Sequence, residues 1–327
     1  MSYNISMNII FTNINQYANV HEAFRVRMLS EVAVKYGLQV FMCVLDDSIY
    51  PEYPNITYSK NIEQDFADFC KKWKPKKICN FIDYLTRWDL VEYECEHIYF
   101  VRSCYAQVIG RTPNQKINDE WLKREQTWIQ QADKVVTDSP ASIDAVYEHY
   151  GITPELMFEY VNPKKYLEMP LPEFNKKAYY VGRFDKQKRF DLITLSNEWD
   201  IIGIGKNELD ETNHSSLKGY GAMPFEDYSQ YITDAAFGLY PAVWESNGYS
   251  VQECLAMGKI PIIQKGSGGH ERLCNSSNSI AIDWEDVDWK DAIMDNYIPD
   301  MHCAARASLT MDMYTKSLEK FVEIMHD

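Results

Sequence analysis

Glu245 and Glu253 are separated by seven residues in the run Pro241-Ala-Val-Trp-Glu245-Ser-Asn247-Gly248-Tyr249-Ser250-Val-Gln-Glu253-Cys-Leu-Ala-Met-Gly258-Lys-Ile-Pro261. A carboxylate accepts two hydroxyl hydrogen bonds at once, so two carboxylates around exposed backbone amides suit a vicinal diol such as a ribose or a hexose. Gly248 lets main-chain N–H groups approach the same ligand. The helix expected from Tyr249 favours negative charge at its start. Two solvated carboxylates near a helix start would be the blander reading. Val251, Leu255 and Ala256 oppose it, because they give Glu253 the neighbours of a buried face. A second segment, Tyr179-Tyr180-Val181-Gly182-Arg183-Phe184-Asp185-Lys186-Gln187-Lys188-Arg189, runs from an apolar strand into a glycine and then into positive charge. Arg183 offers a rigid fork and Lys188 a point charge, which together could hold a diphosphate at the start of a following helix. Alone, this segment also fits a solvated basic turn.

Side chains so far apart in the chain need a scaffold to gather them, and short apolar runs alternating with longer mixed segments predict an α/β protein. Strands are expected at Asn8–Ile14, Leu38–Leu45, Lys77–Ile82, Ile98–Arg102 and Lys134–Thr137, with helices over Asn19–Tyr36, Asn61–Trp73 and Asp119–Gln131. Ser139–Pro140 caps and opens a further helix that runs to Tyr150–Gly151. Prolines and the loss of periodicity in Val161–Lys176 mark a boundary. The rhythm then restarts with strands at Ala178–Val181, Asp200–Ile204, Ala236–Tyr240, Ile260–Gln264 and Ser279–Ile282. Helices are expected over Gln187–Ser196, Phe225–Asp234 and Tyr249–Met257, and two acidic helices close the chain. The resulting division is a first domain over 1–165, a linker over 166–176, a second domain over 177–305, and a C-terminal segment over 306–327 that could pack back on the first. Two such halves place ligands at the carboxyl ends of their strands, facing each other across a cleft.

With 327 residues, 46% hydrophobic and 25% charged, the chain has globular composition, which excludes disordered, collagenous and coiled-coil classes. The net charge of −15 argues against wrapping nucleic acid by bulk charge. The densest basic run is Lys71, Lys72, Lys74, Lys76 and Lys77, which reads as a helix end leading into a strand. Eight scattered cysteines without a C-x-x-C pair, together with an N-terminus lacking a basic region followed by a long apolar run, predict a reduced, cytoplasmic protein. His97, His149, His214, His302 and His326 are too dispersed for a metal cluster, so no metal is expected. His21 reads as a helix-cap or surface residue, and Asp83 ends a strand. Asp46–Asp47 follows a strand with no glycine fingerprint before it, which disfavours a dinucleotide enzyme.

On these residues the second half resembles the nucleotide-sugar-binding domain of the GT-B glycosyltransferases. The resemblance is to the large retaining family that includes sucrose and glycogen synthases and many bacterial lipid and polysaccharide transferases. Glu245 and Glu253 fit its Glu-x7-Glu signature. Val181-Gly182-Arg183 with Lys188 is similar to its phosphate-binding turn, Glu253-Cys-Leu-Ala-Met-Gly258 with Pro261 to the run that follows, and Gly268-Gly269 to its glycine pair. The resemblance covers about residues 118 to 320 and implies two Rossmann-like domains. It also implies an enzyme that moves a hexosyl or related group from a nucleotide-diphosphate sugar to an acceptor hydroxyl with retention of configuration, without a separate cofactor. By it, Arg183 and Lys188 hold the diphosphate and Glu253 the ribose. Glu245 holds the transferred sugar, helped by amides around Asn247, Gly248 and Tyr249. The chain departs from the family in several places. Thr12-Asn13-Ile14-Asn15-Gln16-Tyr17-Ala18 stands where a glycine pair is usual, Tyr99-Phe100-Val101-Arg102-Ser103-Cys104 lacks the family histidine, Asn247 replaces a usual Phe, and Gly258-Lys259-Ile260-Pro261 is one residue longer than usual. That extra residue is similar to phage enzymes that glucosylate hydroxymethylated cytosine in DNA, for which Lys71–Lys77, Arg87, Arg102 and Arg111 would supply the groove. A small-molecule or glycan acceptor is expected over DNA, and a membrane partner is not expected. A catalytically inactive nucleotide-sugar-binding scaffold is the remaining alternative.

Overall fold

A computed structural model describes residues 9–14, 35–36, 39–44, 56–59, 62–80, 91–101, 104–112, 119–193, 198–205, 218–220 and 225–326. The chain divides into two compact units. The first comprises Met1–Ala106, Ile117–Phe158 and Lys316–Asp327, and the second Gln107–Lys116 and Glu159–Thr315.

The first unit is built on a parallel sheet of β1 (Ile9–Ile14), β2 (Gln39–Val44), β3 (Ile56–Ser59), β4 (Lys77–Asn80), β5 (Glu96–Val101), β6 (Lys134–Thr137) and β7 (Glu155–Leu156), in the order β3-β2-β1-β4-β5-β6-β7. Helices α1 (Ile62–Trp73), α2 (Tyr105–Arg111, which passes into the second unit at Gln107), α3 (Asp119–Gln131) and α4 (Pro140–Tyr150) alternate with the later strands. The capping chemistry expected of α4 is present. Ser139 accepts from the Ser142 N–H, proline opens the helix, and Gly151 closes it in the left-handed region at φ 71°. Short β3 and β7 at the two ends of the sheet order were not anticipated, because two to four residues give too little alternation to register.

The second unit repeats the plan with β8 (Lys177–Val181), β9 (Asp200–Ile204), β10 (Lys218–Tyr220), β11 (Phe237–Tyr240), β12 (Ile260–Gln264) and β13 (Ile280–Ile282), all parallel in the order β10-β9-β8-β11-β12-β13. Helices α5 (Phe225–Ile232), α6 (Tyr249–Ala256), α7 (Trp289–Asn296), α8 (Met301–Ala307) and α9 (Met311–His326), the last of which passes into the first unit at Lys316, follow, so three helices rather than two close the chain. Residues of β11 are buried throughout, as expected of a parallel strand covered on both faces. The core around it gathers Tyr180, Phe184, Phe190, Trp199, Leu239 and Trp289. Lys259, the residue that lengthens the Gly-to-Pro spacing, is fully buried at 0% exposure. Its ammonium donates to the carbonyls of Ile232 (2.7 Å), Thr233 (3.0 Å) and Ala235 (2.6 Å). These reinforce the C-terminal end of α5, where the Ile232 carbonyl also takes the Ala235 N–H at 3.0 Å.

One expected helix does not form. Over 185–189 the chain makes a turn, followed by a 3-10 segment at Phe190–Leu192. Asp185 Oδ1 takes the Lys188 N–H at 2.8 Å, and Arg189 sits in the left-handed region at φ 49°. The Asp185 bond is of the kind that caps a helix start, but the left-handed Arg189 ends the turn before an α-helix can propagate. Residues 194–196 of that expectation lie outside the described residues, as do Asn15–Ala18, the helix expected over Asn19–Tyr36 up to residue 34, His21, Asp46, Asp47, Asp83, Arg87, Arg102, Ser103 and His214.

Candidate functional site

In the sheet of the second unit, β8 and β11 are neighbours from which the strand order runs outward in opposite directions, the address at which open α/β sheets bind ligands. The loops leaving these two strands carry Gly182–Lys188 and Pro241–Glu245. They are tied together by the Val243 N–H, which donates to the Gln187 carbonyl at 3.2 Å. The first loop is pinned from below. Tyr180, Phe184 and Phe190 pack ring against ring at centroid distances of 4.4–5.4 Å, and Tyr180 Oη donates to the Arg183 carbonyl at 2.5 Å. The apolar members of the segment are thereby drawn under the turn. Arg183, with 40% of its side chain exposed, bonds Asp185 at 3.0 Å and Gln187 at 2.9 Å.

Two backbone approaches fix the loop ends. The Gly182 N–H donates to the Ile204 carbonyl at 3.0 Å, and a Cβ at Gly205 would lie 1.8 Å from the Gly182 carbonyl oxygen. On the other side, Glu245 bridges to Gly268, with its N–H on the Ser267 carbonyl at 2.9 Å and its own carbonyl taking the Gly269 N–H at 2.6 Å. A Cβ at Gly269 would lie 2.0 Å from the Ser246 oxygen. The glycine pair therefore serves as the backing strip on which Glu245 is mounted.

Lys188 and Glu245 form an ion pair, both largely buried. Burial pushes the Glu245 carboxyl upward. Lys188, with Arg183, outweighs that push and holds the carboxyl below its ordinary range. Gly248, in the left-handed region at φ 67°, caps α6, and its carbonyl accepts the first helical N–H groups from Val251 and Gln252 at 3.0 Å. Tyr249 is the first residue of that helix. Asn247 is buried, and its Oδ1 accepts from Gln252 Nε2 at 2.8 Å. Gln252 is itself held by the Val161 N–H at 2.9 Å and the Glu159 carbonyl at 3.2 Å.

Arg183, Lys188, Glu245, Asn247 and Gly248 are thus brought together by the two loops. Glu253 is placed differently. At 3% exposure, its carboxylate accepts from Tyr166 Oη at 2.7 Å and from Tyr228 Oη at 3.4 Å. Burial next to that charge raises both tyrosines well above the ordinary phenol range. Neither tyrosine carried a sequence signal, since both look like ordinary core aromatics. His270 was passed over as well, although it directly follows the glycine pair. It is 3% exposed and packs on Tyr240 at 5.8 Å. Burial lowers its pKa to about 4, against the pull of Glu245.

In the first unit, the lysine run is a helix end entering a strand. Lys71 pairs with Glu92 at 3.8 Å, Lys72 lies 4.8 Å over the Trp73 ring, and Lys77 pairs with Glu96 at 3.0 Å. Buried Glu125 accepts the Tyr105 N–H at 2.8 and 3.0 Å and the Tyr150 hydroxyl, closing the start of α2. Among the described residues no group of three or more His, Cys, Asp or Glu could hold a metal ion, and no helix is long and apolar enough to cross a membrane.

No protein-family model matches the chain, and no curated protein matches it. Solved structures do. A sucrose-phosphate synthase from Thermosynechococcus elongatus superposes with a TM-score of 0.77 at 15% identity, over 97% of this chain and 98% of that one. A glycosyltransferase from Rickettsia africae gives 0.68 at 13%, over 99% and 98%. The Anabaena HepE protein in complex with UDP and glucose gives 0.70 at 11%, over 97% and 98%. At these identities the likeness is one of fold. The chain has the GT-B fold, with two Rossmann-like α/β lobes in one polypeptide.

Proposed function

We propose that this protein is a glycosyltransferase, moving a hexosyl or related group from a nucleotide-diphosphate sugar to the hydroxyl of a small molecule or glycan, with retention of configuration. The observation that carries the reading is the Lys188–Glu245 ion pair beside Arg183, on the two loops at the switch point of the second sheet. Arg183 and the remaining donors of Lys188 face the diphosphate and offset the charge that grows on it as the bond to the anomeric carbon breaks. Glu245, oriented by Lys188, accepts hydroxyl hydrogens of the transferred sugar, with Asn247, Gly248 and Tyr249 around it. Glu253 is assigned to the ribose hydroxyls, which take the place of the Tyr166 hydroxyl as its donor. The acceptor oxygen bonds the anomeric carbon on the face the diphosphate leaves, and its proton passes to the departing phosphate oxygen. No step draws on a metal. An acceptor in DNA gains no support from the lysine run, whose Lys71, Lys72 and Lys77 are engaged within their own unit.

The test is calorimetry with UDP, ADP and GDP and their hexose conjugates on the parent, Glu245→Gln and Glu253→Gln, together with donor hydrolysis. One nucleotide sugar should bind and be hydrolysed by the parent. Glu253→Gln should weaken bare diphosphate and conjugate alike, by about 1–2 kcal/mol for a charge-assisted hydrogen bond. Glu245→Gln should spare the bare diphosphate and lower turnover. Binding without hydrolysis or transfer would identify an inactive sugar-nucleotide scaffold. Equal losses of bare diphosphate binding in both variants would overturn the division of roles.

A further inference from the structure

Three polar side-chain atoms next to Glu245 are buried and make no hydrogen bond among the described residues: Asn247 Nδ2, Ser267 Oγ and His270 Nδ1. Their residues are 2%, 0% and 3% exposed. They belong to two strips of chain lying side by side. Ser267 receives the Glu245 N–H at 2.9 Å. A Cβ at Gly269 would lie 2.7 Å from the Asn247 nitrogen, and one at Gly248 would lie 2.6 Å from His270 Cδ2. Buried polar atoms without partners are costly, and folded proteins satisfy nearly all of them. Two of the three are also held in orientation. Asn247 has its oxygen committed to Gln252, itself anchored at Val161 and Glu159, so its NH2 group is directed by a hydrogen-bond chain. His270 is held against Tyr240 and the Gly248 turn.

We propose that Asn247, Ser267 and His270 form a neutral polar subsite that reads the hydroxyl groups of the transferred sugar, and that this sugar is an uncharged one. The inference rests on the glycosyltransferase reading and specifies its donor. An amide NH2, a hydroxyl and an imidazole offer hydrogen bonds of both senses without charge. Burial keeps His270 neutral at pH 7, with a pKa of about 4. Lys188 is committed to Glu245 and Arg183 to Asp185, so a carboxylate on the sugar would meet the negative charge of Glu245 with no cation set aside for it. Asn247 and His270 thereby act as specificity determinants: a polar pair built to bond hydroxyls discriminates strongly against a ligand that leaves it unpaired.

The experiment is calorimetry on the parent, His270→Phe and Asn247→Leu, with His270→Gln and Asn247→Asp as second variants should an apolar one fail to fold. Probes are UDP-glucose, ADP-glucose and GDP-mannose, their matching uronate conjugates, and bare UDP, ADP and GDP. For the nucleotide that binds, the hexose conjugate should bind the parent at least about tenfold better than the uronate. Each apolar variant should lose about tenfold in hexose-conjugate affinity while holding the bare diphosphate within about twofold. Unliganded melting of His270→Phe should stay level or rise by about 2 °C, because an unpartnered buried polar atom has been removed, whereas that of Asn247→Leu should fall by a few degrees, because the acceptor of Gln252 Nε2 goes with it. His270→Gln should recover part of the loss, whereas Asn247→Asp, which exchanges the donor for a negative acceptor, should not. An unchanged ratio of conjugate to bare diphosphate in folded variants overturns the subsite and leaves the glycosyltransferase reading standing. A uronate preferred by the parent overturns the claim of an uncharged sugar. A parent that binds no diphosphate and no conjugate removes the reading and the subsite together.

Discussion

The two units share a strand order, yet they use glycine very differently. Both sheets are parallel and run outward in opposite directions from a central pair, β1 and β4 in one and β8 and β11 in the other. Eleven of the 14 glycines, however, lie between Gly182 and Gly269, and only Gly37, Gly110 and Gly151 precede them. Two of those in the second unit sit where backbone meets backbone, Gly205 against Gly182 and Gly269 against Ser246. In the first, Gly151 closes a helix with nothing within 4 Å of where its Cβ would be. Topology supplies an address in both units. In the second, glycine brings main chain and charged side chains close enough to make that address a site.

The largest expected effect tests that distinction. Gly205→Ala and Gly269→Ala each drive a methyl into a carbonyl that only a backbone shift can clear, at a cost of about 4 kcal/mol or more. Gly151→Ala meets only the left-handed penalty, about 1 kcal/mol. Urea midpoints on the three variants decide it, and equal losses would mean that close approach is not what sets the second unit apart.

Lys259→Met comes next, at about 3 kcal/mol, since it strips the ammonium from three buried carbonyls of the second unit. The effect should depend on pH with a defined sign. Burial lowers the folded-state pKa to about 8 from 10.5, so between those values the unfolded chain binds more protons and the folded state gains from rising pH. The gap between parent and variant should therefore widen by up to about 1.4 kcal/mol per pH unit above pH 8. Stability titrations of the two proteins over pH 7 to 10 measure it; a constant gap would place the proton elsewhere.

The smallest effects compare the two basic segments. Arg183→Ala and Lys188→Ala should each weaken nucleotide-sugar binding by about 2 kcal/mol. Replacing Lys71, Lys72 and Lys74 together by Gln should change it by less than about 0.5 kcal/mol, as expected of exposed lysines. Calorimetry on both sets would sharpen the contrast; equal losses would erase it.

Much of the second unit was legible because its chemistry is local. Gly182, Arg183, Lys188, Glu245, Asn247 and Gly248 lie at strand ends that periodicity alone locates, and the structure assembles them. What escaped was set by residues distant in sequence. Nothing in the run around Glu253 reveals that Tyr166 and Tyr228, 87 and 25 positions away, hold its carboxylate. His270 drew no reading from the sequence, and only the Gly268–Gly269 strip lays it beside Gly248. The helix expected from Gln187 failed for the opposite reason. Asp185 even caps its start, but one left-handed Arg189 redirected the backbone. Lys259 registered only as a spacing irregularity, because burying an ammonium under three carbonyls is a tertiary solution to a helix end.

Burial of Lys259 also makes it a built-in clock. An amine with no exposure to solvent is shielded from acylating reagents while the second unit is closed, and it reacts only when α5 parts from the sheet. At mildly alkaline pH, its labelling rate divided by that of an exposed lysine such as Lys72 reports how often that part of the molecule opens. A bound ligand that stabilises the second unit should slow this clock without touching the residue that keeps it.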